Sequence, residues 1–194
     1  GKIKRMPFDY IKKIRTSGLR ITTLKENDDV VSVKLLAADK KLFITSFAGK
    51  AVLFDPTKVR AMGRTATGVR AMNLSGSEIV SVNVVNDTDN VLFVSKLGFG
   101  KKTIVSEFRE TNRGAKGVKA MNILSAGGIV KSLVVTNAKE IMIVTDKGIA
   151  IRTTLEEIPD LSRNTKGVRL IRLDAKDFVH DVDVIMDSDW NGKL

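Results

Sequence analysis

A short basic turn recurs four times at a nearly constant interval, and this constrains the fold more than any other feature of the chain. The copies are Arg15-Thr-Ser-Gly18-Leu-Arg20, Arg64-Thr-Ala-Thr-Gly68-Val-Arg70, Arg113-Gly-Ala-Lys116-Gly117-Val-Lys119 and Arg163-Asn-Thr-Lys166-Gly167-Val-Arg169. Their glycines are spaced by 50, 49 and 50 residues. A fixed period of this size means stacked units, each burying its apolar face against its neighbours. Two places after every glycine stands a cation: Arg20, Arg70, Lys119 and Arg169. With 33 Lys and Arg in 194 residues, composition alone gives four out of four in roughly one case in a thousand. The bland alternative is a solvated outward face, but a structural repeat does not require a cation at that place.

A second landmark keeps the same period. Apolar runs break at a glycine and resume: Leu42 to Phe54 about Gly49, Val91 to Val105 about Gly98, and Ile141 to Arg152 about Gly148. Short β-branched and aromatic runs around a glycine read as β-hairpins. Each hairpin glycine precedes a basic-turn glycine by 19 residues: 49 to 68, 98 to 117 and 148 to 167. The turns lead into alternating segments, Val69–Leu74 and Val118–Ile123. A further strand is predicted at Val31–Leu35, Val80–Val84, Val130–Val134 and Val179–Val184. Period-2 alternation marks half-buried strands, and no segment sustains the 3.6-residue period of a helix.

The predicted fold class is therefore all-β, a propeller-like array of about four four-stranded blades. The repeats run at about 1–41, 42–90, 91–140 and 141–187, and residues 188–194 read as a polar tail. Blade sheets set around an axis leave only short edges exposed. The sequence is out of phase with its repeats, because Gly1 stands where Gly49 stands one repeat later. Three complete hairpins are thus expected beside four basic turns. Either the C-terminal end supplies the missing strand and closes a ring, or the sequence is a piece of a longer array; the two are compatible.

Net charge is +11 and the pI is near 9.9, a field that favours a polyanion such as nucleic acid. No apolar run approaches the ~18 residues a membrane span needs, and the first residues lack the apolar core of a secretory signal. Cysteine is absent, which excludes disulfides and thiolate metal sites and fits a reducing cytoplasm.

Several stretches carry a family resemblance. Val59-Arg-Ala-Met-Gly-Arg-Thr-Ala-Thr-Gly68-Val-Arg-Ala-Met-Asn-Leu74, Gly98-Phe-Gly-Lys-Lys-Thr103, Asn112-Arg-Gly-Ala-Lys-Gly117 and Gly167-Val-Arg-Leu-Ile-Arg172 closely resemble the C-terminal DNA-wrapping domain of bacterial DNA gyrase A. The likeness runs through about residues 1–187. It implies a β-pinwheel, a propeller-like ring whose blades exchange a strand, of which this chain is similar to the last four blades. The family's signature box, Gln-Arg-Arg-Gly-Gly-Lys-Gly, is absent. Thr111-Asn-Arg113-Gly114-Ala115-Lys116-Gly117 keeps Arg-Gly-x-Lys-Gly and loses the Gln and one Gly. Since the family uses that box to complete wrapping, the resemblance implies a chain that binds and bends DNA without supporting full supercoiling alone. It further implies duplex DNA as partner, together with the rest of gyrase A and with gyrase B in an A2B2 complex. It places the protein in the cytoplasm at the nucleoid, with no membrane partner. No cofactor is expected in this chain; ATP and Mg2+ would belong to other domains or to gyrase B.

The basic turns are the candidate site. A glycine there permits positive φ and close backbone approach to a ligand, and successive amides with flanking cations can face a phosphate. The predicted DNA-binding set is Arg15, Arg20, Arg64, Arg70, Lys101, Lys102, Arg113, Lys116, Lys119, Arg163, Lys166 and Arg169. Gly18, Gly68, Gly117 and Gly167, with Gly49, Gly98 and Gly148 in the hairpins, are structural turn positions. Lys12, Lys13, Lys58, Arg60, Arg109, Arg152 and Arg172 could extend the track, although each alone reads as an ordinary surface cation. No recognition helix or zinc module is evident, and aromatic residues are 5%, so phosphate contact with DNA deformation is favoured over base readout or strand stacking. Catalysis has no support. His180, the only histidine, aligns with Ser32, Ser81 and Lys131, and Tyr10, the only tyrosine, aligns with Lys58, Glu107 and Glu157; both read as surface positions. A protein-interaction propeller and the related topoisomerase IV domain are the alternative readings.

Overall fold

The computed structural model describes residues 1–185; the predicted polar tail at 188–194 lies outside the described residues. The strands are β1 (Lys2–Ile3), β2 (Lys41–Ser46), β3 (Lys50–Phe54), β4 (Val69–Arg70), β5 (Ile79–Val85), β6 (Asn90–Ser95), β7 (Phe99–Ile104), β8 (Val118–Lys119), β9 (Ile129–Val134), β10 (Glu140–Thr145), β11 (Ala150–Thr154), β12 (Val168–Arg169) and β13 (Val179–Ile185). Single 3-10 turns follow β1, β3, β7 and β11.

The last three repeats each contribute four strands, as expected, and among the described residues every sheet except the last combines strands of two successive repeats. The orders are β5-β2-β3-β8 and β9-β6-β7-β12, then β13-β10-β11, and β1-β4. The fourth strand of each complete blade therefore comes from the following repeat. All pairings within the sheets are antiparallel. Two blades have four strands, while the last has three and the first only two. Three complete hairpins are present, β2-β3, β6-β7 and β10-β11. Among the described residues the C-terminal strands pair neither with β1 nor with β4, so no ring closes there.

The predicted strand Val31–Leu35 does not form, and residues 12–40 carry neither strand nor helix. Its counterparts β5, β9 and β13 pair along the first hairpin strands β2, β6 and β10. Among the described residues Val31–Leu35 finds no such hairpin strand to pair with. An unpaired strand leaves its backbone groups to water, and Val33 and Leu35 stand 75% and 82% exposed. The predicted strands Val69–Leu74 and Val118–Ile123 shorten to two residues each. After Val118–Lys119 the backbone pivots on the hairpin glycine, whose carbonyl accepts from the N–H groups of Ala120 and Met121 at 2.8 and 3.3 Å. Two successive side chains, Ala120 and Met121, are then buried, as are Ala71 and Met72, off the end of the two-residue ladder.

The cores lie between blades. Leu42, Ile44, Val52 and Phe54 pack with Ala71 and Met72 on one face of the β2-β3 hairpin. Phe43 and Leu53 pack on the other with Phe93, Phe108 and Met121, where the Phe43 and Phe108 rings meet edge to face at 4.8 Å. A hairpin covered on both faces reads as a continuous apolar run, which explains Leu42–Ile44 and Val91–Val94. Leu92 and Val94 face Ile141 and Ile143 in the next core. In β10 the alternation returns, with Met142 exposed between buried Ile141 and Ile143, because among the described residues no further blade covers that face. A buried polar cluster joins β5 to β9: Thr45 Oγ1 lies 2.9 Å from Ser132 Oγ, Asn83 Nδ2 donates to Ser132 O at 3.0 Å, and Ser132 N–H donates to Ser81 Oγ at 2.8 Å.

Gly117 has φ +77°, and a Cβ there would stand 2.6 Å from the carbonyl oxygen of Ala51 in the preceding blade. The glycine is thus needed for blade docking, and the close approach expected toward a ligand is made instead to protein backbone. Gly117→Ala should cost about 2–5 kcal/mol in urea unfolding, combining ~1–2 kcal/mol of left-handed strain with ~1–3 kcal/mol of overpacking. Gly18→Ala should cost only the ~1–2 kcal/mol of left-handed strain, since Gly18 has φ +79° but nothing lies within 4 Å of a Cβ there.

Candidate nucleic-acid interface

Each basic turn is docked by register onto the hairpin of the blade before it. The cation two places after the turn glycine lies opposite the residue that follows the hairpin glycine: Lys2↔Arg70, Lys50↔Lys119 and Phe99↔Arg169. The hairpin glycine carbonyls hold the exit of the turn. Gly1 O accepts from Ala71 N–H at 3.0 Å, and Gly98 O accepts from Leu170 N–H at 2.8 Å. The fourfold sequence pattern is thus one docking arrangement made three times, at turns two, three and four.

Adjacent turns touch, so they form a row. Asn73 N–H donates to Ala115 O at 2.9 Å, and Asn122 N–H donates to Thr165 O at 3.0 Å. Arg113 Nη1 donates to Arg70 O, and Arg163 Nη1 donates to Lys119 O, each at 3.4 Å. The segment just after the first turn reaches the second by side chains: Thr23 Oγ1 donates to Thr65 O at 3.0 Å, and Lys4 Nζ bridges Ile21 O and Arg64 O at 2.6 and 2.5 Å. The row lies at the strand-exchanged edges, β4, β8 and β12, while β5 and β9 form the opposite edges of the four-stranded sheets.

Carboxylates neutralise some cations elsewhere: Lys41 with Asp87, Lys58 with Glu110, Lys131 with Asp181, Lys12 with Asp9 and Arg152 with Glu140. Lys12, Lys58 and Arg152 thereby leave the extended track. Among the described residues no carboxylate forms an ion pair with Arg15, Arg20, Arg64, Arg70, Arg113, Lys116, Lys119, Arg163, Lys166 or Arg169. Arg163 and Lys166 are half-buried and the other eight are exposed. Like charges directly opposite on a ladder are destabilising, yet Lys2 faces Arg70 and Lys50 faces Lys119. Lys2 and Lys50 stand outside the predicted set; the constant 19-residue lock between hairpin and turn is the sequence signal that could have found them.

Two predicted site residues drop out. Lys101 is fully buried, donates to Ser162 O at 2.5 Å and lies 5.9 Å from the Phe93 ring centroid. It occupies the strand position of Val52 and Ile151 in the neighbouring hairpins, so its side chain points between blades. Lys102 is paired with Asp160 at 3.5 Å, its side chain 16% exposed. The adjacent pair in sequence suggests a basic tip, but both residues follow the hairpin turn into the sheet.

The structure also places Tyr10 and His180. Tyr10 is exposed within the first 3-10 turn, level with the turns that hold Lys58, Glu107 and Glu157. His180 is exposed with Nδ1 2.8 Å from an Asp146 carboxylate oxygen. Its ladder position matches Val80 and Val130 rather than Ser81 and Lys131, a one-residue correction. Ser81 is buried, not solvent-facing. Among the described residues no three metal-capable side chains cluster, and no helix is long and apolar enough to cross a membrane.

Fold and rim together define a strand-exchanged β-pinwheel with a basic outer edge. The chain belongs to the family described as DNA gyrase C-terminal domain, beta-propeller, which matches residues 1–37, 40–86, 89–137 and 139–186. It is 38% identical over 133 residues to the gyrase A protein of Chlamydia pneumoniae, covering 67% of this chain and 16% of that protein. The chain thus spans about a sixth of that relative's length. Among solved structures it is similar to a DNA gyrase A C-terminal domain, with TM-score 0.83, 27% identity, and coverage of 96% of this chain and 63% of that one. It is likewise similar to a topoisomerase IV C-terminal domain, with TM-score 0.87, 26% identity, and coverage of 95% and 59%.

Burial pushes the Lys101 ammonium down to about 8, with Arg163 adding to the fall and Glu107 opposing it. The unfolded chain, with an ordinary lysine pKa near 10.4, binds more protons between about pH 8 and 10. Stability should therefore rise with pH across that window and carry the full burial cost below pH 8. Lys101→Ile, copying Ile151, should abolish this rise and equal or exceed the parent's stability at pH 7, as read by urea midpoints across pH.

Proposed function

We propose that this chain binds duplex DNA without sequence specificity along the row of basic turns and bends it around the rim. The observation that carries the reading is the unneutralised row of turns, where Lys2 faces Arg70 and Lys50 faces Lys119, whereas Lys41, Lys58, Lys131 and Arg152 are paired with carboxylates. Such like-charge pairs cost stability when empty and are relieved by a phosphate between them. Smooth bending of a 20–30 bp site costs on the order of 1–6 kcal/mol, so one turn cannot sustain it and several contiguous turns can. Arg and Lys side chains here contact backbone rather than base edges, so register on the duplex is free and sequence enters only through deformability.

Within a full-length protein like its gyrase A relatives, the chain acts as the non-catalytic C-terminal domain that supports ATP-dependent negative supercoiling. The partners are the rest of gyrase A and gyrase B in an A2B2 complex at the cytoplasmic nucleoid. ATP and Mg2+ are handled by those other parts. A second reading, the corresponding domain of a topoisomerase IV, is favoured by the TM-score of 0.87 to that structure against 0.83 to the gyrase one. The 38% identity to a gyrase A protein supports the first.

If six to ten phosphates are engaged, duplex affinity should fall ~10³- to 10⁵-fold between 50 and 200 mM salt. Arg70→Ala and Lys119→Ala should each weaken binding on every sequence and lower the salt slope by about one. Wrapping is read by ligating relaxed circles with the protein bound at low salt. The linking-number distribution should shift; an unchanged distribution at saturation would leave simple electrostatic association.

A further inference from the structure

The residue after the hairpin glycine is Lys2, Lys50, Phe99 or Ile149 in successive repeats. At the first two, a cation faces a cation across the ladder; at the third, a ring does. Lys166 Nζ stands 4.3 Å from the Phe99 ring centroid and Arg169 Cζ stands 4.8 Å from it. Both distances lie well within the ~6 Å range of cation–π attraction. Phe99 is half-buried and packed against the core beneath. Its place is therefore fixed, whereas a lysine at that site would swing free. Neither Lys166 nor Arg169 forms an ion pair with a carboxylate among the described residues, and Arg163 ties this turn to Lys119 O.

We infer that Phe99 is a positioning residue that holds the Lys166 ammonium and the Arg169 guanidinium together as a preformed phosphate-binding pair at the fourth turn. The inference rests on the DNA-binding reading and deepens it: the ligand is a backbone phosphate of the duplex at this one turn. The ring removes the cross-strand repulsion present at the other two junctions. It also restrains two long side chains before binding, so less rotamer freedom is lost when a phosphate arrives. The fourth turn is on this account the firmest grip on the rim, although its hairpin carries one cation fewer.

The test uses the whole chain and a fluorescent duplex at fixed salt. Phe99→Leu keeps apolar bulk without a π face and should weaken binding roughly 3- to 10-fold with the thermal midpoint held. Phe99→Tyr should restore parent affinity. In a double-mutant cycle, Lys166→Ala should cost less in the Phe99→Leu background than in the parent, whereas Lys119→Ala should cost the same in both. Parent-like binding by Phe99→Leu, failure of Phe99→Tyr to rescue a folded protein, or additivity with Lys166→Ala would each overturn the inference. If Lys119→Ala weakens binding while Phe99→Leu does not, only the role of Phe99 falls. If neither changes binding, the rim itself is not the DNA site.

Discussion

The structure depends on a short strand lent by each repeat to the blade before it. The lent piece is only two residues long at β4, β8 and β12, too short to be stable by pairing alone. What holds it is the carbonyl of the hairpin glycine, which at Gly49 and Gly98 accepts two N–H groups from the chain just beyond the lent strand. The turn glycine lies against the same hairpin from the other side. The residues that follow, Ala71-Met72 and Ala120-Met121, are then driven into the interblade core. Backbone pairing, glycine geometry and apolar burial therefore act at one junction, and loss of any of them should loosen the blades from one another.

The junction also explains where the charge sits. The exchanged strand is the outermost of its sheet, so its cation projects from an edge and meets water. The opposite side of the sheets behaves differently: Lys131 on β9 reaches Asp181 on β13 at 2.8 Å, and polar groups of Thr45, Ser81, Asn83 and Ser132 satisfy one another. Negative charge is thus used to knit elements together, while the outer edge keeps its cations unmatched. An edge that tolerates facing lysines in the absence of a partner is suited to a polyanion, and its contiguity matches a ligand that runs from blade to blade.

The first and last sheets show which contacts matter. Met142, against which no described blade packs, is exposed although its counterpart Phe43 is the centre of a core. The alternating segment at 31–35 pairs with no hairpin strand among the described residues and forms no strand, although its pattern matches β5 and β9. In both places local propensity is unchanged and tertiary pairing decides the outcome.

The period, the hairpins, the all-β class and the family likeness were legible from residues alone, because glycine and β-branched spacing follow from backbone sterics within one repeat. Arg70, Lys119 and Arg169 could also be found, since they keep a fixed distance from a glycine. Tertiary structure alone decided which cations are available. Lys101 and Lys102 resemble Lys116 and Lys119 in the chain, yet one is buried between blades and the other is matched by Asp160 from the next repeat. The availability of a charge depends on which carboxylates and apolar faces lie within a few ångströms, and strand exchange brings those neighbours from about fifty residues away.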